Sequence, residues 1–463
     1  MSSHEQFKQA ALEAGSRFLS IARGKTIHIV AHYDADGLCS SAILQEALTR
    51  KEIGFSFSHY QHLDGGTIDD IASEDADIFI FTDIGSTKAA RIKERLKDKT
   101  VFILDHHACD VADRGDADSF SHINPYCHGI TASNEISGAG VAYFFALGMD
   151  QSNRNLAGLG VLGAIGDTQE RDGFKELNNE ILQHAILQKK VRVGRRLKLY
   201  GINSRPLVKV LEYSTDLDIP GVTNNPDGVK ELLSELRIRH SFPNGKLKKY
   251  FHLHPEQQQR LTEKILDIKG EDALEGAIVP AYTFIDESKR EMQDLRECAT
   301  VINACGRLEE YGVAIGALRG DDLAKDKAVM NLKVYKGSLR DALNTIEKRK
   351  ESGDVYQSDD LLVVDFGDQL KSSIVGVVAS MTVRNKVVSE GVIVCTIADS
   401  DGDTVKISLR TGIDDPETRL DELLSAIVEE FGADAGGHPN AAGAVIPAEH
   451  KDAFIEKLKT SVE

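Results

Sequence analysis

The sequence has 463 residues, 41% of them hydrophobic and 28% charged, with a formal net charge of −18, 6 Cys and no Trp. That length exceeds one ordinary domain and can bury two or three separate cores. The acidic balance excludes a protein that adheres to any polyanion through bulk positive charge, and no apolar run has the length of a membrane-spanning helix.

The opening, "MSSHEQFKQAALEAGSRFLSIA", has the periodicity of an amphipathic helix rather than of a leader, which makes a cytoplasmic protein the expectation. Cys39, Cys109, Cys127, Cys298, Cys305 and Cys395 are scattered without a CxxC pair. Reduced, buried thiols suit that pattern better than a disulfide frame or a cysteine-type zinc site. Residues 26–31 form a short β-rich run and "GLCSSAILQEALTRK" has helical periodicity, so "HYDADG" between them falls in a strand-to-helix loop. The alternation then repeats. "FSFSHY" and "DIFIFT" read as strands, "TKAARIKERLK" as a helix, and 100–104 as the strand that delivers Asp105, His106 and His107. "SGAGVAYFFALGM" and "NLAGLGVLGAIGD" follow as helices, the second ending near Asp167. This alternation predicts a parallel sheet with helices on both faces over residues 1–190.

From 191 to 275 the β-branched runs thin out, and turn or cap signals lead into helices at "PGVTNNPDGVKELLSELRI" and "HPEQQQRLTEKILDIKG". A mostly helical insertion is expected there. Residues 189–249 hold 14 Lys and Arg against 6 Asp and Glu, so a polyanion would be met here if anywhere. The plainer reading of "KKVRVGRRLK" is a solvated helical face. Over 276–463 strands return at "AIVPAYTFID", "YGVAIGALRG", "DLLVVDFG", "GVIVCTIAD" and "DTVKISLR", separated by helices at "ECATVINACGRLEE", "SLRDALNTIEKRKE" and "RLDELLSAIVEEFG". The expected fold is therefore α/β, with a parallel-sheet first domain, the mostly helical insertion, and a second, smaller α/β core that closes on the Gly-rich "DAGGHPNAAGAVI".

The chemistry sits where apolar runs stop at a carboxylate or an imidazole: His32, Asp34 and Asp36 in "VAHYDADG", Asp83 in "IFIFTDIGS", His106 in "VFILDHHA" and Asp167 in "LGAIGDTQE". Parallel sheets gather ligands at the carboxyl ends of their strands. Carboxylates suit Mn²⁺ and Mg²⁺, and Mn²⁺ also accepts imidazole. In "HYDADG" the groups at i, i+2 and i+4 project together if the strand end stays extended. One Asp in such a place is ordinarily a helix cap or turn former. Recurrence along the chain argues instead for two-ion phosphoester chemistry, in which ions ~3.5–4 Å apart share a carboxylate and activate a water. Far downstream, the glycines of "GGHPNAAG" let backbone N–H groups approach a phosphate closely.

"HYDADG", "TDIG", "DHH" and "GAIGD" resemble the four motifs of the DHH phosphoesterase superfamily, and "AGGHPNAAGAV" resembles the Gly-Gly-Gly-His motif of its DHH-associated C-terminal domain. Ala435 stands where the first Gly of that motif is usual. The order of a DHH catalytic domain (1–190), an insertion (191–275) and a DHH-associated substrate-binding domain (276–463) is similar to archaeal RecJ-like single-strand exonucleases of the GINS-associated type. The resemblance implies that His32, Asp34 and Asp83 hold one Mn²⁺, and that Asp36, Asp83, His106 and Asp167 hold the other, with Asp83 bridging; Mg²⁺ is the alternative ion. It also implies that Asp105 orients the neighbouring imidazoles and that His107 faces the scissile phosphate as a charge stabiliser or acid. Gly436, Gly437 and His438 would close over the substrate. Arg410 and Arg307 resemble phosphate-binding positions, for which a bidentate guanidinium is suited; the plainer reading of either is a surface salt bridge. Ser372 and Ser373 read as helix caps that could touch a nucleotide.

The implied activity is Mn²⁺-dependent hydrolysis of single-stranded DNA or RNA to mononucleotides in DNA replication and repair, with GINS and the replicative helicase as partners; relatives with the same motifs differ in polarity, and 5′→3′ is the expectation here. Without Trp, base stacking falls to Tyr, Phe or His. Two other readings compete. One is a phosphodiesterase for very short oligonucleotides or cyclic dinucleotides, against which the insertion speaks. The other is a replisome scaffold, whose signature would be lost metal ligands, whereas every ligand position here is filled.

Overall fold

Short runs of β-branched and aromatic residues build the first sheet, its central strands buried on both faces. Its strands are β1 (Ile27–His32), β2 (Phe55–Tyr60), β3 (Ile78–Thr82), β4 (Thr100–Leu104), β5 (Asp116–Ala117) and β6 (Phe120–Ile123). This computed structural model describes residues 1–109, 116–117, 119–171, 173–270, 276–400, 402–412 and 419–462. The strand order is β2-β1-β3-β4-β6-β5, parallel in the first five and antiparallel only at β5. β1 lies between β2 and β3, so the chain moves to one side and then to the other. The carboxyl ends of β1 and β3 thus border the switch point where open parallel sheets bind ligands.

Helices cover both faces. Gly65–Ser73 and Ala89–Arg95 bury Ile68, Ile71 and Ile92 with Phe79 and Phe81. On the other side Phe18, Phe102 and Phe145 interlock edge to face or tilted, tying helices Ser3–Ile21 and Gly138–Met149 to β4. Two glycines let those two helices touch backbone to backbone: a Cβ added at Gly15 would lie 2.0 Å from Phe145 O, and one at Gly148 would lie 2.0 Å from Leu12 O.

The insertion has its own core, with Leu207, Leu211, Ile219, Leu233, Leu261 and Ile265 buried together. Helices Leu207–Glu212, Pro226–Glu235 and Pro255–Lys269 supply about half of it, and the segments that flank and connect them supply the rest. The basic run "KKVRVGRRLK" is not a helical face. It forms β7 (Val191–Leu197), antiparallel to β8 (Ile278–Phe284), because its alternating Val and Arg match the period of a two-stranded ribbon. Arg196 is drawn inward to Asp294 at 2.8 Å, while Arg192 and Arg195 stay exposed.

Two expectations for the C-terminal core change here. "AIVPAYTFID" is a strand, but as β8 it joins β7 rather than a second core. "YGVAIGALRG" is helix Tyr311–Leu318 packed on helix Ala35–Arg50; a short, unbroken apolar run has no period that separates strand from helix, and packing decides. By their contacts, Met1–Gly306 with Glu310–Val329 form one compact unit, and Arg307–Glu309 with Met330–Glu463 form the other. The span from 276 to Gly306, expected in the C-terminal core, packs with the first unit.

In the second unit β9 (Tyr356–Gln357), β10 (Leu361–Asp365), β11 (Ile393–Ser400), β12 (Thr404–Arg410), β13 (Ala435–His438) and β14 (Ala441–Pro447) form a sheet ordered β13-β14-β12-β11-β10-β9. Only β10 and β11 pair in parallel. Helix Val375–Arg384 packs on one face, and Leu420–Glu429 with Lys451–Val462 on the other. Helix Asp322–Ser352 starts in the first unit and ends in the second. Among the described residues no helix is long and apolar enough to cross a membrane.

Candidate metal centre

β1 stops at His32, and the chain turns at once into helix Ala35–Arg50. The strand does not stay extended through "HYDADG", as the i, i+2, i+4 expectation required. Asp34 instead caps the helix, its Oδ1 accepting from Gly37 N at 3.1 Å, which is the favoured role of Asp before a helix. Asp36 lies in the first turn. Gly37 makes the tight turn possible, since a Cβ there would lie 2.3 Å from His32 O.

After β3, Asp83 takes a left-handed φ of 58°, and its N–H donates to Leu104 O at 2.9 Å. That conformation costs on the order of 1 kcal/mol for a residue with a side chain and is typical of sites that hold a ligand. Its effect is to aim one carboxylate at two imidazoles. Oδ2 lies 3.5 Å from His32 Nδ1, and Oδ1 lies 3.2 Å from His106 Nε2. His32 Nδ1 is also 3.2 Å from Asp34 Oδ1, and His106 Nε2 is 3.2 Å from Asp167 Oδ2 and 3.7 Å from Asp36 Oδ2. Two nests result, His32 with Asp34 and Asp83, and Asp36 with His106 and Asp167; within each the donor atoms lie within 4.8 Å of one another. Asp167 reaches its place from the C-terminal end of helix Ala157–Gly166.

The donors fit divalent ions. His32 Nδ1, Asp83 Oδ1 and His106 Nε2 are buried without a hydrogen-bond partner among the described residues. Burial, together with Asp83 and Asp167, pushes the Asp36 carboxyl well up, and burial likewise raises Asp167. Burial opposes charge on His32 and His106 too, yet the facing carboxylates hold both imidazoles well above their ordinary range. So many buried carboxylates are stable only with compensating positive charge, and the oxygen and imidazole donors match Mn²⁺ or Mg²⁺.

The surroundings are shaped to these carboxylates. Gly138 N and Ala139 N, opening helix Gly138–Met149, donate to Asp36 at 2.6 and 3.0 Å, as helix N-termini do for anions. A Cβ at Gly138 would sit 2.5 Å from Asp83 Oδ1, and one at Gly163 would sit 2.3 Å from Asp36 Oδ1. Ala35 N is held by Asn303 Oδ1 at 2.8 Å, so a helix beyond the insertion, Leu295–Arg307, braces the turn.

Asp105 is buried, and its charge is retained against burial by His107 and His106 and by Ser86 N, which together hold its carboxyl far below the usual range. Its Oδ1 accepts from His106 N at 2.8 Å and faces His107 Nδ1 at 2.8 Å; its Oδ2 accepts from Ser86 N at 2.9 Å. His107, half exposed, stays beside the nests, its ring centroid 4.6 Å from that of His106. Burial works against its charge, and Asp105 more than restores it, raising the imidazole. Asn124 Nδ2 donates to His107 O at 2.9 Å and to Ser86 Oγ at 2.8 Å. Ser86 and Asn124 escape sequence reading because isolated Ser and Asn carry no spacing signal.

The second unit carries a cationic group. "GGHPNAAG" is not an open loop. Gly436, Gly437 and His438 lie on exposed edge strand β13, joined to β14 through Pro439 and Asn440. Small residues are tolerated at an edge, and Gly437, with φ 151°, is required because a Cβ would lie 2.2 Å from Ala441 O. Arg410, ending β12, donates to Ser380 Oγ at 3.0 Å and Ala442 O at 3.1 Å. Arg307 Nη1 donates to Ser373 O at 2.9 Å, and Ser373 Oγ donates back to Arg307 O at 2.5 Å. Ser373 is thus buried and fastens Arg307. Lys406, which sequence reasoning missed, lies near both: burial, then Arg410 and Arg307, lower its pKa to about 8.

The DHH family, N-terminal domain, matches residues 26–164, the DHH-CID domain matches 199–275, and the DHHA1 domain matches 359–463. An uncharacterised protein of Methanocaldococcus jannaschii is 27% identical over 437 residues, covering 93% of this chain and 92% of that protein. Among solved structures, an exonuclease RecJ bound to manganese is similar with a TM-score of 0.56 and 18% identity, over 98% of this chain and 94% of that one. CDC45 from Entamoeba histolytica is similar with a TM-score of 0.62 and 12% identity, over 98% of both chains.

Proposed function

For a chain that belongs to the DHH superfamily and has a RecJ-like fold, we propose the activity of a Mn²⁺-dependent exonuclease that removes mononucleotides from single-stranded DNA or RNA. The observation that carries it is Asp83, turned so that its two carboxylate oxygens face the imidazoles of two separate nests. His32, Asp34 and Asp83 would hold one ion; Asp36, Asp83, His106 and Asp167 would hold the other. When bound, such a pair supplies an activated water and offsets charge on the phosphoryl oxygens. The protein's own groups do the rest. Asp105 orients His107 and favours its protonated form, in which the imidazolium can stabilise the phosphate and deliver a proton to the leaving oxygen. Arg307, Lys406, Arg410 and His438 are the proposed grip on backbone phosphates.

The test is Mn²⁺-dependent degradation of end-labelled single-stranded DNA and RNA, from dinucleotides to long oligonucleotides, by the wild type and Asp83→Ala. The expected result is processive loss of long strands, 5′→3′ by the label, that vanishes in the variant. Cleavage confined to the shortest oligomers would transfer the chain to the small-substrate phosphodiesterases. A replisome role with GINS is the second part of the reading, supported by the likeness to CDC45 over nearly the whole of both chains. The proposed partner surface is the insertion with its exposed Arg192 and Arg195. Unchanged GINS capture after deletion of residues 195–270 would remove that part and leave the nuclease standing.

A further inference from the structure

Beside the oxygen-rich nests lies a cluster of different chemistry. Cys109 follows the Asp105–His107 segment beyond β4, His122 is on the adjacent parallel strand β6, and Cys127 lies in the turn Pro125–His128 that follows. The two sulfurs and one imidazole nitrogen lie within 4.8 Å of one another. His122 and Cys127 are 7% and 5% exposed, and Cys109 is partly exposed, which gives an ion a way in. His122 Nε2 is engaged by Ser86 Oγ at 2.8 Å, so Nδ1 would be the donor to a metal, and the serine fixes the ring as outer partners of metal-bound histidines do.

We propose that Cys109, His122 and Cys127 form a binding site for a thiophilic divalent cation, Zn²⁺ in character, distinct from the Asp-His nests. Two thiolates and a neutral imidazole offset the charge of a divalent ion, so the occupied site is neutral and tolerates burial. The donor set is one zinc favours, and the four residues between His122 and Cys127 fall within zinc-ligand spacing. Sulfur ligands select against Mn²⁺, which prefers oxygen and imidazole; each centre therefore sorts its own ion. Binding releases the two thiol protons to solvent. Because Ser86 touches His122 on one side and donates to Asp105 on the other, the bound ion braces the segment that carries His107.

The experiment loads the chelated full-length protein with Co²⁺ alone and then with Zn²⁺ alone, in wild type, Asp83→Ala, Cys109→Ser and Cys127→Ser. A thiolate-to-cobalt charge-transfer band in the near ultraviolet is expected in the wild type and in Asp83→Ala, and is expected to disappear in both serine variants. One zinc per chain should survive Asp83→Ala, and thiol-dependent proton release should accompany its binding. The wild-type spectrum needs no substitution, and the partly exposed Cys109 gives a variant that keeps the core intact should Cys127→Ser misfold. Cobalt bound without a sulfur band, or a band that persists in Cys109→Ser, overturns the proposal.

Discussion

The first unit concentrates negative charge, with five Asp side chains, His32, His106 and His107 packed at the ends of parallel strands, while the second gathers Arg307, Lys406 and Arg410 around an exposed glycine hairpin. The first group is held by buried backbone donors and by glycines that leave no room for a Cβ; the second is held by hydroxyls and carbonyls, with the guanidinium groups of Arg307 and Arg410 themselves only partly buried. Groups that must aim several oxygens at an ion need rigidity, because a displacement of a few tenths of an ångström is felt directly. Groups that hold a polymer phosphate and release it repeatedly need charge that is moderate and open to water. Damage to the first unit should therefore fall on kcat, and damage to the second on KM.

The largest effect expected is that of Asp83→Ala, which removes the group shared by both nests. Hydrolysis should drop by about 10³-fold or more, entirely in kcat; turnover retained within tenfold would end the distinction between the two units. Gly138→Ala tests the shape argument without touching a ligand. Its Cβ would press on Asp83 Oδ1, and Mn²⁺ affinity measured by calorimetry should weaken by about 10–100-fold, the cost typical of disturbing the surroundings of metal ligands. On the other side, Arg410→Ala should raise KM by about tenfold, the value of a charged hydrogen bond, with kcat little changed. A fall in kcat alone would move Arg410 to the chemical step.

The smallest effect is a pH dependence. Lys406 titrates at about 8, below an ordinary lysine, so it is charged below that pH and loses its proton as pH rises through it. KM for a phosphate-rich substrate should climb by a few-fold above pH 8, and Lys406→Arg, which keeps its charge, should flatten the rise. An unchanged profile in that variant would show that Lys406 does not meet the substrate.

Much of this organisation was legible in the sequence where a physical rule is local. The strands that lead to His32, Asp83 and Asp105 announce themselves by unbroken apolar runs cut off by polar residues, and the structure brings all six predicted donors together. What stayed hidden depends on packing or on distant partners. Nothing in "YGVAIGALRG" distinguishes a strand from a helix until helix Ala35–Arg50 is present to receive it. Lys406 looks like any polar residue of an alternating strand, and its lowered pKa comes first from burial, then from Arg410 and from Arg307, nearly a hundred positions away. The spacing of Cys109, His122 and Cys127 carries no CxxC signal, because β4 and β6, not the chain between the residues, draw them together.

The backbone-to-backbone seam between Gly15 and Gly148 reaches further than its position suggests. The helix on the inner side of that seam, Gly138–Met149, is the one whose first N–H groups hold Asp36. A change of register in the first helix is therefore transmitted along one rigid rod to a carboxylate of the candidate metal centre. For recombination between relatives, the first helix and the helix after residue 138 form one heritable pair: a chimera that splits them keeps every donor atom and still misplaces one.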